Sequence, residues 1–351
     1  MSAMMQSDMY VVSIPDAQQL IRSVCVKHNK ALMLWGPPGV GKSAMVAQVV
    51  KEHNGVLVDF RCGQYDSVDL RGFPGIDAAT NHTVWYAPST LPFKGNPKFD
   101  EQGPPIFVFA DEINAAVPAV AGVLYQLFLD RCIGEHVLMD NVIMLAAGNR
   151  ESDKGVTNRM PTPLANRFTH VEVGTDVMAW CQWAQAAGLP PIGIAFMQFR
   201  KELLNTFDSA KTAKAFATPR SWATALGYYA DDTMPESIKM AALAGTVGQG
   251  PAAEFWGFVD VYAKIIPIGK ILADPTGIAL PEELSLQWAT AINVSGAMDV
   301  TNVKALHAFI TRMPPEIVLC AWTLATRRDK ALYTTPEFMA FSKKYKFIFT
   351  P

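Results

Sequence analysis

The chain lacks several things, and each absence narrows what it can be. It has no CxxC pair, and its five cysteines (Cys25, Cys62, Cys132, Cys181 and Cys320) are odd in number and scattered. Neither a disulfide framework nor a thiolate zinc site is expected, and the thiols read as reduced core fillers of a cytoplasmic protein. The six histidines show no HExxH or comparable spacing, which argues against a zinc centre. No run of eighteen apolar residues occurs, so no membrane span is expected. The first ten residues hold no basic region followed by an apolar stretch, so no export signal is expected. The net charge is only −2, so no overall basic field invites nucleic acid or an anionic membrane. There is no internal repeat and no low-complexity tract.

What is present is apolar material for a large interior. Half of the 351 residues are apolar and 18% are charged, which suits a folded protein of two or three domains. The chain is organised around Gly36-Pro37-Pro38-Gly39-Val40-Gly41-Lys42-Ser43, which reads G-x-x-x-x-G-K-S. The apolar run Ala31 to Trp35 enters it as a short buried strand, and Ala44 to Val50 leaves it as a helix. That context makes it a phosphate-binding loop. Glycines 39 and 41 let the backbone turn tightly and aim N–H groups at phosphate oxygens. The helix N-terminus adds its positive dipole end. Lys42 is expected to reach the β and γ phosphates of ATP, and the Ser43 hydroxyl to take a position on Mg²⁺.

The rest of the first half alternates strands and helices. Helical spacing of Leu20, Ile21, Val24 and Cys25 predicts a helix from Pro15 to Lys27. Val56 to Phe60 is a strand. Ser67 to Arg71 is one helical turn, broken by Gly72-Phe73-Pro74-Gly75. Asp77 to His82 is a hairpin turn with Thr83 to Tyr86 as the returning strand. Pro88 to Pro105 reads as an irregular surface connection. Ile106 to Ala110 and Val142 to Ala147 are strands buried on both faces. Between them lie a helix from Pro118 to Asp130 and a small hairpin from Arg131 to Leu138. Phe168 to Val173 is the last strand. From about residue 175 the chain looks all-helical, with prolines at the helix starts Pro219, Pro281, Pro315 and Pro336.

Two further features carry chemistry. Asp111-Glu112 ends an apolar strand, the place where open α/β sheets bind ligands. Asp111 is expected to hold Mg²⁺, and Glu112 to polarise the attacking water as general base. Asn149, at the end of the next strand, is placed to orient that water or touch the γ-phosphate. The plainer reading of Asn149 is a strand-end turn former.

Gly36 to Ser43, Asp111-Glu112-Ile113-Asn114, Gly148-Asn149 and Pro163-Leu164-Ala165-Asn166-Arg167-Phe168 stand in the order and spacing of the AAA+ ATPases. More narrowly, the chain resembles the MoxR group, whose D-L-x-G element is matched by Asp69-Leu70-Arg71-Gly72. The resemblance spans roughly residues 15–230. It implies that Arg167 is a finger reaching the neighbouring subunit's γ-phosphate, with Arg159 a second candidate for that task. A guanidinium suits the task because its planar fork pairs two phosphate oxygens. It also implies that Arg220, after Thr218-Pro219, is the second sensor of a helical lid. The Gly72 to Leu91 and Arg131 to Leu138 hairpins resemble those that face a ring's pore or a partner.

The expected fold is therefore a three-layer α/β/α core with a mostly parallel sheet over residues 1–174. A helical lid and helical extension would follow over residues 175–351. The resemblance implies a ring, of six subunits, that hydrolyses ATP to remodel a protein partner, often a von Willebrand factor A-domain protein. Two other readings stand beside it. A nucleic-acid motor would want lysine and arginine on the hairpin tips, and these tips are neutral or acidic. A nucleotide-gated scaffold with little turnover would not need Glu112, Asn149 and Arg167 together.

Overall fold

The computed structural model describes residues 9–153, 160–210 and 213–345. The chain divides into two compact units, one ending at Thr175 and taking in a short stretch at Asp208, the other beginning at Asp176.

The first unit is built on a six-stranded sheet. Its strands are β1 (Val11–Val12), β2 (Leu32–Trp35), β3 (Val56–Arg61), β6 (Ile106–Asp111), β9 (Val142–Gly148) and β10 (Thr169–Val173). Their order is β1-β10-β2-β9-β6-β3, and every pairing is parallel. β6 and β9 are buried along their whole length, because both sheet faces are covered. On one face lie α1 (Ile14–Leu20), the turns that follow it, and α2 (Lys42–Glu52), packed over Leu32, Leu34, Phe107, Phe109 and Leu145. On the other lie α3 (Ser67–Arg71) and α4 (Pro118–Asp130), over Met33, Val108, Ala110 and Ala146. α4 buries Val120, Leu124, Leu127 and Phe128, one stripe at helical spacing. Each such side chain contributes about 1.5–3 kcal/mol on leaving water. This is a three-layer α/β/α core with a parallel sheet.

Two small hairpins hang from the core: β4 (Phe73–Ile76) with β5 (Thr83–Tyr86), and β7 (Cys132–Ile133) with β8 (His136–Val137). Gly72 makes the first possible. Its φ is +86°, and a Cβ there would run into the Tyr86 carbonyl oxygen.

Four details differ from the sequence-based expectation. The helix from Pro15 to Lys27 changes winding: α1 stops at Leu20, and Ile21–Lys27 is π-helical. Gly72 breaks the helical turn as expected, but Phe73–Ile76 continues as a paired strand. The Pro88–Pro105 connection is irregular, yet Leu91 and Phe93 are only 1% and 2% exposed, so it is anchored in the core and does not merely run over the surface. Pro281 precedes a helix that begins only at Leu284.

Among its described residues the second unit is helical throughout. It opens with α6 (Val177–Ala186), α7 (Pro191–Phe199) and α8 (Pro219–Ala230), and its last helix is Pro336–Lys344. Its core is aromatic, with Trp222, Trp322, Phe196, Phe255, Phe309 and Phe341 fully buried. A buried indole N–H must find an acceptor. Trp222 donates to the Leu203 carbonyl at 2.7 Å, Trp180 to the Pro219 carbonyl at 3.0 Å, and Trp322 to His307 Nδ1 at 3.2 Å. No helix among the described residues is long and apolar enough to cross a membrane.

Candidate functional site

Parallel strands bring their C-terminal ends to one edge of the sheet. Trp35 lies beside Gly148 in register, and β6 runs next to β9. The loops after β2, β6 and β9 therefore open at the same place. They carry Gly36 to Ser43, Asp111-Glu112 and Asn149.

The phosphate loop needs its glycines. Gly39 and Gly41 have φ of +76° and +109°, in the region that side chains avoid. A Cβ on Gly36 would lie 2.8 Å from the Val173 carbonyl oxygen, so the loop can pass β10 only as glycine. Pro37, Pro38 and Val40 complete the turn, with Val40 buried beneath it. Lys42 opens α2 and is 8% exposed. Its Nζ donates to the Gly36 carbonyl at 2.6 Å, the Pro37 carbonyl at 3.1 Å and Asn149 Oδ1 at 3.2 Å. The Ser43 hydroxyl donates to Asp111 Oδ2 at 2.6 Å. Asp111 is itself buried, and its other oxygen accepts from the Glu112 N–H at 2.9 Å. Thus Lys42, Ser43, Asp111 and Asn149 form one connected cluster.

Glu112 borders this cluster with its side chain exposed. Its backbone is left-handed, φ +54° and ψ +39°. For a non-glycine residue that conformation costs about 1–3 kcal/mol, and it persists only where the surroundings impose it. Here the Asp111 carboxylate holds the Glu112 N–H, and the Glu112 carbonyl accepts from Ala115 N at 2.8 Å. The turn sends the two acids of one dipeptide in different directions.

Asn114 is a residue whose task sequence reasoning left unassigned. Its amide donates to the Asn149 carbonyl at 2.7 Å and accepts from the Asn149 N–H at 3.3 Å. It therefore clamps the loop that presents Asn149. The clamp needs Gly148: a Cβ there would stand 2.7 Å from Asn114 Oδ1 and 2.8 Å from Met33 Cε. Gly148→Ala is expected to cost about 1–3 kcal/mol, as overpacking does. The check is a lower denaturant midpoint; an unchanged midpoint would show that Asn114 shifts freely.

Arg150 secures the far side of the same loop. It bonds Asp153 through Nη2 at 2.8 Å and Glu172 through Nη1 at 2.9 Å, and both carboxylates are buried. Asp59 on β3 was also missed. Burial raises its carboxyl above the ordinary range, the Asp111 charge raises it further, and Arg61 offsets part of this. The N-terminal segment arrives here too, with Ile14 packed beside Gly41. Cys62 is buried near Asp111, and burial together with that charge pushes its thiol up to about 12.

Arg167 is not part of this cluster. Arg167 sits two residues before Thr169, which registers with Leu32 at the start of β2. It is exposed and lies toward the opposite end of the sheet from the phosphate loop. At a strand rise of about 3.3 Å per residue, the four steps from Leu32 to Gly36 alone span roughly 13 Å. Arg220 belongs to the second unit, exposed in the first turn of α8 behind the Thr218 cap, whose hydroxyl accepts from Ser221 N at 3.0 Å. Arg159 lies outside the described residues.

Residues 32–174, from β2 to the end of β10, match the family described as ATPase family associated with various cellular activities (AAA). The match spans less than half of the chain, and it is this stretch that resembles an AAA domain. Among solved structures, similar chains include a RuvB variant from Thermotoga maritima, at 15% identity and a TM-score of 0.38, covering 87% of this chain and 93% of that one. Another is NtrX from Brucella abortus in complex with ATP, at 12% identity and a TM-score of 0.39, covering 96% of this chain and 67% of that one. A candidate ATPase from Cytophaga hutchinsonii is 13% identical with a TM-score of 0.33, covering 95% of this chain and 88% of that one. No curated protein matches. At such identities the functional reading rests on the family match over residues 32–174 and on the site itself.

Proposed function

We propose that this chain hydrolyses ATP at the loops after β2, β6 and β9, in a ring whose neighbouring subunits complete each site. The observation that carries the reading is the Ser43–Asp111 contact at 2.6 Å, next to Lys42 and Asn149. Two hard oxygen donors and a buried ammonium converge on glycine-rich backbone. That donor set fits Mg²⁺ and a polyphosphate and suits no softer metal. Ser43 and Asp111 would hold the ion, which when bound neutralises phosphate charge.

The chain's own groups supply the rest. Backbone N–H groups of the loop and the start of α2 bind phosphate oxygens. Lys42 exchanges its carbonyl partners for the β and γ phosphates. Glu112, exposed and turned away from Asp111, takes the proton of the attacking water. Asn149, held by Asn114 and reached by Lys42, orients that water or the γ-phosphate. Arg167 lies far from its own subunit's phosphate loop, and a neighbour's γ-phosphate gives it a task. A head-to-tail contact that closes makes a ring, and six subunits is the number we propose. Arg220 would act as the second sensor.

Within the AAA proteins the reading we favour is the MoxR group, on Asp69-Leu70-Arg71-Gly72 and Asp111-Glu112-Ile113-Asn114. Remodelling of a protein partner, of the von Willebrand factor A-domain type, goes with it. The β4–β5 hairpin supports a protein over a nucleic acid: Phe73 and Tyr86 face each other in register and are exposed, and its tip, residues 77–82, holds no lysine or arginine.

Lys42→Ala tests the first step. Removing one partner of a largely buried charge pair costs about 2 kcal/mol or more, so ATP should bind at least about 30-fold more weakly. Calorimetric titration with ATP checks this, and an affinity within a few-fold of wild type would remove Lys42 from the phosphate site.

A further inference from the structure

Trp35 is the last residue of β2 and the last before Gly36. Its indole Nε1 donates to His170 Nδ1 at 2.9 Å, and the two rings stack at 13° with centroids 6.1 Å apart. The other nitrogen of the same imidazole, Nε2, donates to the Ala165 carbonyl at 2.7 Å. An indole N–H can only donate and a carbonyl can only accept. One tautomer satisfies both partners, the neutral ring with its proton on Nε2.

Ala165 ends α5 (Thr162–Ala165), and Arg167 follows two residues later. The turn between them is tight: Arg167 N donates to the Leu164 carbonyl at 2.9 Å, and Phe168 N to the Ala165 carbonyl at 3.2 Å. Phe168 packs edge-on to His170 at 6.0 Å. The Arg167 guanidinium is exposed and has no ion pair or side-chain hydrogen bond among the described residues. Its direction is therefore set by the backbone of this turn. Among the described residues, the one side-chain hydrogen bond that ties the turn to the sheet beneath it comes from His170.

We infer that His170 is a positioning residue for Arg167. It ties the turn carrying Arg167 to Trp35, on the strand that runs into the phosphate loop, and so fixes how Arg167 is presented to the neighbouring subunit. The inference rests on the shared-site reading above. A finger acts only if its guanidinium meets the developing charge, and a misplacement of about 1 Å costs roughly 10²-fold in rate. A long side chain on a turn free to rock loses that accuracy.

The test separates a positioning role from a structural one by asking which subunit suffers. Two chains that are inactive alone, Glu112→Gln and Arg167→Ala, are mixed; some interfaces then join an intact Glu112 to an intact Arg167, and ATPase activity returns. His170→Phe keeps a ring against Trp35 and removes both hydrogen bonds. Placed on the Glu112→Gln chain, which donates Arg167, it should cut the recovered kcat about tenfold or more. Placed on the Arg167→Ala chain, which holds the nucleotide, it should cost less than about threefold. The KM for ATP should stay unchanged in both arrangements. Equal losses in the two placements, or a loss that falls on KM, would overturn the inference. If His170→Phe does not assemble, His170→Gln, which keeps a donor toward Ala165, carries the same two placements and should show the same asymmetry at smaller size. If the parent pair recovers nothing although mixed assembly is confirmed, the shared-site reading fails, and the role of His170 falls with it.

Discussion

Arg167→Ala should lower ATP hydrolysis by about 10³-fold or more, the size a finger arginine contributes where it meets the transferring phosphoryl group. Binding of ATP to the isolated subunit should hardly change. Both halves follow from position. Arg167 lies toward the end of the sheet opposite the phosphate loop, two residues before the start of β10. It cannot be a ground-state ligand of its own subunit's nucleotide, so its loss leaves that affinity alone. In a neighbour's site its planar fork would meet charge as it spreads over the γ-phosphate oxygens, a gain made only in the transition state. Titration with ATP and single-turnover hydrolysis measure the two halves separately. A variant that loses affinity and rate together would place Arg167 in its own subunit's site.

Glu112→Gln should bind ATP as the wild type does and turn it over at least ~100-fold more slowly, as expected when a general base is lost. The amide preserves size and cannot accept the water's proton. The strained backbone at φ +54° is imposed by the Asp111 carboxylate and the turn to Ala115, and neither depends on the Glu112 side chain. The substitution should therefore leave the fold and the Ser43–Asp111 contact in place. Equal turnover by the variant would assign the water to another group, and the raised carboxyl of Asp59 is the first to try.

Much of this arrangement was legible in the chain itself. The phosphate loop, β6 and β9 show because strands covered on both faces are apolar without interruption, and because few other structures call for glycine and lysine at that spacing. α4 shows through a single stripe of buried positions. Less legible were features decided by distant partners. β1 is only Val11–Val12, too short for a pattern, and exists because it pairs with β10 some 160 residues later (Val11 beside Glu172). The π-helical winding at Ile21–Lys27 leaves apolar residues inside, as an α-helix would, so spacing cannot tell them apart. Leu91 and Phe93 look like apolar residues in a proline-rich connection until the core closes over them.

In the site the division is similar. The residues proposed to meet phosphate announce themselves by type and spacing. Those that hold them do not. Asn114 stands within the Asp-Glu-Ile-Asn run, but its task depends on Gly148 letting it approach β9. Arg150 and Glu172 are 22 positions apart, and Trp35 and His170 are 135 apart. Only the sheet order β10-β2-β9 makes them neighbours.

The central claim is that this chain turns over ATP at sites completed between subunits. The most direct test is phosphate release from ATP by the pure wild-type chain over a wide range of protein concentration, with assembly state measured on the same samples. The account predicts that activity per subunit rises with concentration, in step with the population of rings, and is near background where subunits are single. Constant activity per subunit down to concentrations where the protein is monomeric would contradict it, as would no phosphate release from fully assembled rings.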